Sequence, residues 1–191
     1  MSTNLVLENV RLSYANIWEP KSIQGGPEKY SCSLLIDKND KKTLSKLNVA
    51  IKQTIEDNKS KFNGKTKGLK LPLRDGDEED RGEAYENHYF LNANSPSKPQ
   101  IVDRNVNPIS DLNRDEVYSG CYANVLIQLY AFNTNGNRGI AVGLGSIQKI
   151  RDGEPLDGRV KASDVFTVLT DANSDSDDDL DDLDDLDDLL N

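Results

Sequence analysis

The spacing of apolar residues changes period several times along the chain. In residues 5–14 (LVLENVRLSY), Val10, Leu12 and Tyr14 alternate with Arg11 and Ser13, the two-residue repeat of a strand with one buried face. The stretch ANIWEPKSIQGGPEK that follows holds Pro20, Gly25, Gly26 and Pro27 and reads as a loop, since proline removes a ladder donor and glycine favours turns. Residues 29–36 alternate again, with Tyr30, Cys32, Leu34 and Ile36 on one face and Lys29, Ser31 and Ser33 on the other. The period then lengthens. After Asn39 or Asp40, either of which can cap a helix, Leu44, Leu47, Ile51 and Ile55 recur at helical spacing with lysines opposite. That pattern predicts a surface helix of about 17 residues lying on one side of a sheet.

Residues 85–93 (YENHYFLNA) read as a further strand with Tyr85 and Tyr89 facing alike, and the Pro/Asn/Ser-rich stretch 94–116 carries only a short extended piece at Gln100–Asp103. The strongest β signal comes later. Residues 117–132 (VYSGCYANVLIQLYAF) form a long strand, Asn133–Arg138 a glycine-containing turn, and residues 139–150 (GIAVGLGSIQKI) the returning partner of a hairpin. Gly139, Gly143 and Gly145 in the returning strand predict strong bending or close backbone approach, as the corners of a small closed barrel require. One helix and about five to six strands point to a mainly β fold, a small antiparallel OB-fold-like barrel with one surface helix. An SH3-like barrel or a sandwich would share the pattern.

Charge divides the chain differently. Of 33 acidic residues, eleven are aspartates in the last 21 positions, DANSDSDDDLDDLDDLDDLLN, which contain no lysine or arginine. The first 170 residues hold the other 22 acids against 23 basic residues, so the low pI describes the tail and not the body. A run this dense in like charge repels itself and buries no core. Leu180, Leu183, Leu186 and Leu189 recur every three residues, a spacing that drifts around a 3.6-residue helix without forming an apolar stripe. The expected organisation is therefore a barrel domain over residues 1–170 and a disordered acidic tail over 171–191. No apolar run is long enough for a signal peptide or a membrane span, so a soluble cytoplasmic protein without membrane contact is expected. Cys32 and Cys121 fall in strand-like runs and read as buried reduced thiols. With His88 as the one histidine, a zinc ligand set is lacking, and neither a metal nor a cofactor is expected.

The candidate chemistry is that of nucleic-acid binding. Residues 58–74 (NKSKFNGKTKGLKLPLR) carry Lys59, Lys61, Lys65, Lys67, Lys70 and Arg74 without one acid, interleaved with glycines and Phe62. In a nearly neutral body this is the densest positive field, suited to phosphates. Bases would stack on exposed rings. Trp18 beside Lys21, Tyr30, Tyr89, and above all Tyr130 and Phe132 near Arg138, are the candidates; the last two rings share a face with Gln128. The cluster DGDEEDRGE at 75–83 reverses the sign, but a polar loop does not hold carboxylates rigidly around two metals as a nuclease needs. Two functions compete: ssDNA binding, in which the tail competes for the groove, and a DNA-mimicking or regulatory protein-binding module that binds no nucleic acid.

The run VYSGCYANVLIQLYAFNTNGNRGIAVGLGSIQKIRDGEPLDGR at 117–159, with the opening LENVRLSYANIWEP and the Asp-rich end, resembles a family of phage and prophage single-stranded DNA-binding proteins. The segments SGCYA, GIAVGLGSIQKI and DGEPLDGR carry the resemblance. It implies an OB-fold with an acidic C-terminal tail, sequence-independent ssDNA binding in phage replication or recombination, and contact of the tail with replication or recombination proteins. The tail residues for that contact would be Asp177, Asp178, Asp179, Asp181, Asp182, Asp184, Asp185, Asp187, Asp188, Leu189 and Leu190. Bacterial and some phage relatives end their acidic tails on an aromatic residue, whereas this chain ends Leu189-Leu190-Asn191. Action in the cytoplasm of the bacterial host is expected, and a homodimer stays open.

Overall fold

The first strand is longer and less regular than its apolar pattern predicts. In the computed structural model, which describes residues 1–22, 24–160 and 162–169, β1 runs Thr3–Ser22. Leu5 and Leu7 are buried, a bulge with Asn9 at φ 52° shifts the register, and Val10 and Leu12 then take the inner face. A second irregularity between Ser13 and Asn16 leaves Tyr14 at φ 45° and 63% exposed. Tyr14 therefore does not share the buried face of Val10 and Leu12, because an extra residue in one strand reverses the alternation beyond it.

Most of the stretch expected as a loop after residue 14 is also strand. β1 continues through Trp18 and Lys21, and β2 (Glu28–Asp37) follows a short connection. Pro20 fits because it lies between Asn16 and Lys21, where no β1 residue is paired in register with β2, so its missing N–H breaks no ladder bond.

The helix forms as expected. α1 spans Lys41–Asp57, the Asp40 side chain accepts from the Thr43 N–H at 3.1 Å, and Leu44, Leu47, Ala50 and Ile51 are buried. It packs on β1 and on the two hairpin strands described below. Tyr85, expected at the head of a strand, ends a 3-10 turn (Glu83–Tyr85), and the strand β4 covers His88–Ser95. Tyr85 and Tyr89 accordingly do not face alike: Tyr85 joins Leu35 and Phe90 in a small separate cluster, while Tyr89 packs against the main core. Between α1 and β4 lie the two-residue β3 (Arg74–Asp75) and one helical turn, α2 (Gly76–Glu79). After β4 come β5 (Ile101–Val102) and the hairpin β6 (Tyr122–Thr134) and β7 (Asn137–Arg151).

The sheet order is β3-β4-β2-β1-β6-β7-β5, and a parallel pairing of Asn94 with Gly143 joins β4 to β7. This closes a five-stranded barrel, β1-β2-β4-β7-β6, with every other barrel pairing antiparallel. It is the connectivity of the OB-fold. Residues Met1–Arg159 make one unit. Beyond it, α3 (Ala162–Val165) is a single helical turn. The acidic tail from Asp171 lies outside the described residues.

Candidate nucleic-acid interface

From Val117 to Arg151 the chain contains no aspartate or glutamate, but it has Arg138, Lys149 and Arg151. This acid-free stretch folds as the β6–β7 hairpin. Ala123, Val125, Ile127, Leu129 and Ala131 are buried inside the barrel, so Gln128, Tyr130 and Phe132 point outward, as a two-residue repeat dictates. Across the ladder their partners are Gly143, Ala141 and Gly139. Ala141 and Gly143 leave room beside Tyr130, whereas the space at Gly139, opposite Phe132, is taken up by the Lys70 backbone.

A groove of about 530 Å³ opens here, lined by Asn4 of β1, Lys29 of β2, Asn94 of β4, Gln128 and Tyr130 of β6, and Gly143 of β7 among others. Its lining holds one cation, three side-chain amides, a phenol ring and no carboxylate. Amides can donate to and accept from base edges, a phenol can stack, and an ammonium can meet a phosphate.

The lysine-rich loop is tied to the far end of this face. Phe62, fully buried, anchors the loop in the core. The Asn133 side-chain amide donates to the Lys61 carbonyl at 2.9 Å, the Lys70 N–H donates to the Arg138 carbonyl at 3.0 Å, and the Ile140 N–H donates to the Lys70 carbonyl at 2.9 Å. A Cβ on Gly139 would stand 2.2 Å from the Lys70 carbonyl oxygen, so glycine permits the docking at this position. The loop's side chains at Lys65, Lys67 and Lys70 are exposed, Arg138 is half-buried, and none of the four is ion-paired among the described residues. Lys70 is thus docked at the Phe132–Gly139 end of the outward face, while Arg138, paired with Asn133, alternates to the other side of the ladder.

The other expected site residues are placed elsewhere. Trp18 is half-buried against the core, its indole N–H donates to the Val117 carbonyl at 3.1 Å, and the Lys98 ammonium lies 5.5 Å from its ring. Lys21 is exposed at the end of β1 and pairs in register with Lys29, while Tyr30 is half-buried opposite Ser95. Tyr89 carries the Lys38 ammonium 5.0 Å above its ring. Arg74 grips the Glu79 carboxylate with two N–H groups and covers Phe90 at 5.0 Å, so its charge is matched within the fold. Asn4, Lys29 and Asn94 were not singled out by the sequence. Barrel closure brings them together from distant positions, and no local pattern marks them. The absence of acids over 117–151 was the readable signal.

The acidic stretch after Arg74 is organised around Lys38, which bonds Asp75 and Asp77 at 2.6 Å each. The hydrogen bonds to Lys38 hold both carboxyls below their usual range and hold the Lys38 ammonium above its own. Burial pushes the Cys32 thiol up to about 12 and raises Cys121, and both cysteines are free. Protonated thiols of this kind are poor nucleophiles and poor metal ligands. Among the described residues no group of three or more His, Cys, Asp or Glu could hold a metal ion. Nor is any helix among them long and apolar enough to cross a membrane.

Residues 3–180 match the family described as the ssDNA-binding protein of Enterobacter phage Enc34. The protein p50 of Acyrthosiphon pisum secondary endosymbiont phage 1 is 31% identical over 165 residues, which is 82% of this chain and 88% of that protein. Among solved structures, the chain is similar to the single-stranded DNA-binding protein from bacteriophage Enc34 in complex with ssDNA. The TM-score is 0.68 at 25% identity, over 80% of this chain and 89% of that one. It shares the fold of gp2.5, a single-stranded DNA binding protein encoded by bacteriophage T7, with a TM-score of 0.54 at 12% identity over 89% and 100% of the two chains.

Proposed function

This chain belongs to the family of phage single-stranded DNA-binding proteins represented by that of Enterobacter phage Enc34, and on that footing we propose that it binds single-stranded DNA without reading its sequence, during phage DNA replication and recombination in the cytoplasm of the bacterial host. The family is one of DNA-binding proteins and not of enzymes. Sequence-independent binding needs cations that track phosphates and ring faces that accept any base. The observation that supports the reading is the carboxylate-free groove containing Lys29 and Tyr130, with the loop that carries the unpaired Lys65, Lys67 and Lys70 docked at the Gly139 end of the same hairpin. In this reading Lys65, Lys67, Lys70 and Arg138 hold phosphates, and Tyr130 and Phe132 stack on bases.

The aspartate tail is the groove's competitor in this proposal. Its eleven negative charges follow the body within the same chain, and tethering can raise a segment's effective concentration to about millimolar. Asp177 to Asp188, with Leu189 and Leu190, are the segment offered to replication or recombination proteins once DNA displaces it.

The test is a titration of labelled oligo-dT and of a mixed-sequence oligonucleotide at low salt. Both should bind with affinities within a few-fold, and Tyr130→Ala should weaken both by roughly 5- to 150-fold, the effect of losing one stacked base. Absence of binding at low salt would overturn the proposal and leave the regulatory, protein-binding function.

A further inference from the structure

We propose that the DNA track continues past the groove along the outer face of β6 to a second anchor formed by Arg151, Tyr122 and Arg11, at the opposite end of the strand from the lysine loop. This extension rests on the ssDNA-binding reading above. The outward positions of β6 run Tyr122, Asn124, Leu126, Gln128, Tyr130, Phe132 without a charge among them. On the neighbouring strand Asn4 lies opposite Gln128, Val6 opposite Leu126 and Arg11 opposite Tyr122. Val6 is 43% exposed, an apolar side chain beside Leu126 midway along this face.

At the Tyr122 end two guanidinium groups converge on one ring. That of Arg151 lies 3.4 Å from the Tyr122 ring centroid and that of Arg11 lies 5.9 Å from it. Their orientations are set by neutral acceptors. Arg11 donates to the Gly120 carbonyl at 3.2 Å and to the Glu154 carbonyl at 2.8 Å, and Arg151 donates to the Asn9 side-chain oxygen at 3.5 Å. Among the described residues neither arginine is ion-paired. The nearby Asp152 is engaged by Lys149 at 2.7 Å and by the Tyr118 hydroxyl at 3.2 Å.

These two cations therefore keep their charge and most of their donors for a phosphate. A guanidinium already stacked on tyrosine also presents its other face to a base. From Tyr122 to Phe132 the strand measures about 33 Å at roughly 3.3 Å per residue. That length suits a site toward the lower end of the roughly 4–16 nucleotides an OB-fold covers.

The experiment compares oligo-dT of about three and about twelve nucleotides, which differ in whether they can reach both ends of the track. Arg151→Gln should weaken binding of the longer strand by roughly 5- to 20-fold and flatten its salt dependence by about 0.7 in slope, one phosphate's share, while binding of the short strand stays unchanged. Arg151→Lys should keep the slope and lose part of the affinity. Val6→Glu, at an exposed position opposite the groove residue Leu126, should weaken the longer strand more than the short one without touching the Arg151–Tyr122 stack. If Arg151→Gln and Val6→Glu both leave the long strand's affinity and slope at the parent values while Tyr130→Ala weakens both strands, the track ends at the groove and the extension is wrong. If Tyr130→Ala also has no effect on either strand, the failure belongs to the groove itself.

Discussion

Gly143 lines the groove at a position where neither backbone conformation nor space requires glycine. Its φ lies outside the left-handed region, and a Cβ built there would meet the Gln128 Cβ and carbonyl oxygen at 3.5 Å, ordinary contact distances. Valine at this site should be at least neutral for folding, because glycine inside a strand is less stable than a side-chain-bearing residue by about 0.5–1 kcal/mol. The branched side chain would project beside Gln128 into the space between Tyr130, Asn94 and Lys29. Excluding one stacked base costs about 1–3 kcal/mol, so the dissociation constant for oligo-dT should rise roughly 5- to 150-fold. Gly143→Ala should fall between parent and valine.

The assay pairs a fluorescence-anisotropy titration with a thermal melt. Gly145 shows why the position matters. A Cβ there would sit 2.8 Å from the Leu126 carbonyl oxygen, so Gly145→Val should lower the melting temperature and its binding loss would have two causes. Unchanged oligo-dT affinity in a fully folded Gly143→Val protein would refute the placement of bases in this groove.

Replacing Lys65, Lys67, Lys70 and Arg138 together by alanine should flatten the plot of log affinity against log salt by up to about three units, at roughly 0.7 per phosphate; a slope equal to the parent's would put the phosphates elsewhere. Ending the chain after Thr170 should tighten oligo-dT binding most at low salt, with the difference shrinking as salt screens both the tail and the DNA; equal affinity of the two lengths at low salt would dismiss the tail as a competitor. Asp75 and Asp77 are held below the ordinary carboxyl value of 3.8 by Lys38, so their contribution to stability is present above that value and is lost as pH falls through their lower folded values. The stability deficit of Lys38→Met should therefore be full near neutral pH and close once acid protonates both carboxyls, and a deficit independent of pH in urea melts would show that Lys38 acts through packing on Tyr89 alone.

Much of this fold is written locally. The helical repeat Leu44, Leu47, Ile51 with Asp40 before it produced α1 because capping and one-sided burial act within a few residues. The strand expected over 117–132 formed as β6 only from Tyr122 onward, with Tyr130 and Phe132 outward for the same reason, while residues 117–121 lie outside it in a turn. Local pattern failed where a bulge intervened: Tyr14, in phase with Val10 and Leu12, was turned outward by an irregularity set by pairing with a strand some twenty residues away. It failed again at Trp18, which lies in a proline- and glycine-containing stretch yet belongs to a strand, held by the Val117 carbonyl from a distant part of the chain. The lysine run was visible as charge, but its docking on the hairpin through Lys70 and Gly139 was not, and Arg74, one of its members, is engaged by Glu79. Residue type decided which chemistries were available. Barrel closure, which sets Asn94 beside Gly143 and so brings Asn4 and Lys29 to the same groove, decided where they meet, because pairing between remote strands depends on the whole sheet and leaves no trace in any short stretch of sequence.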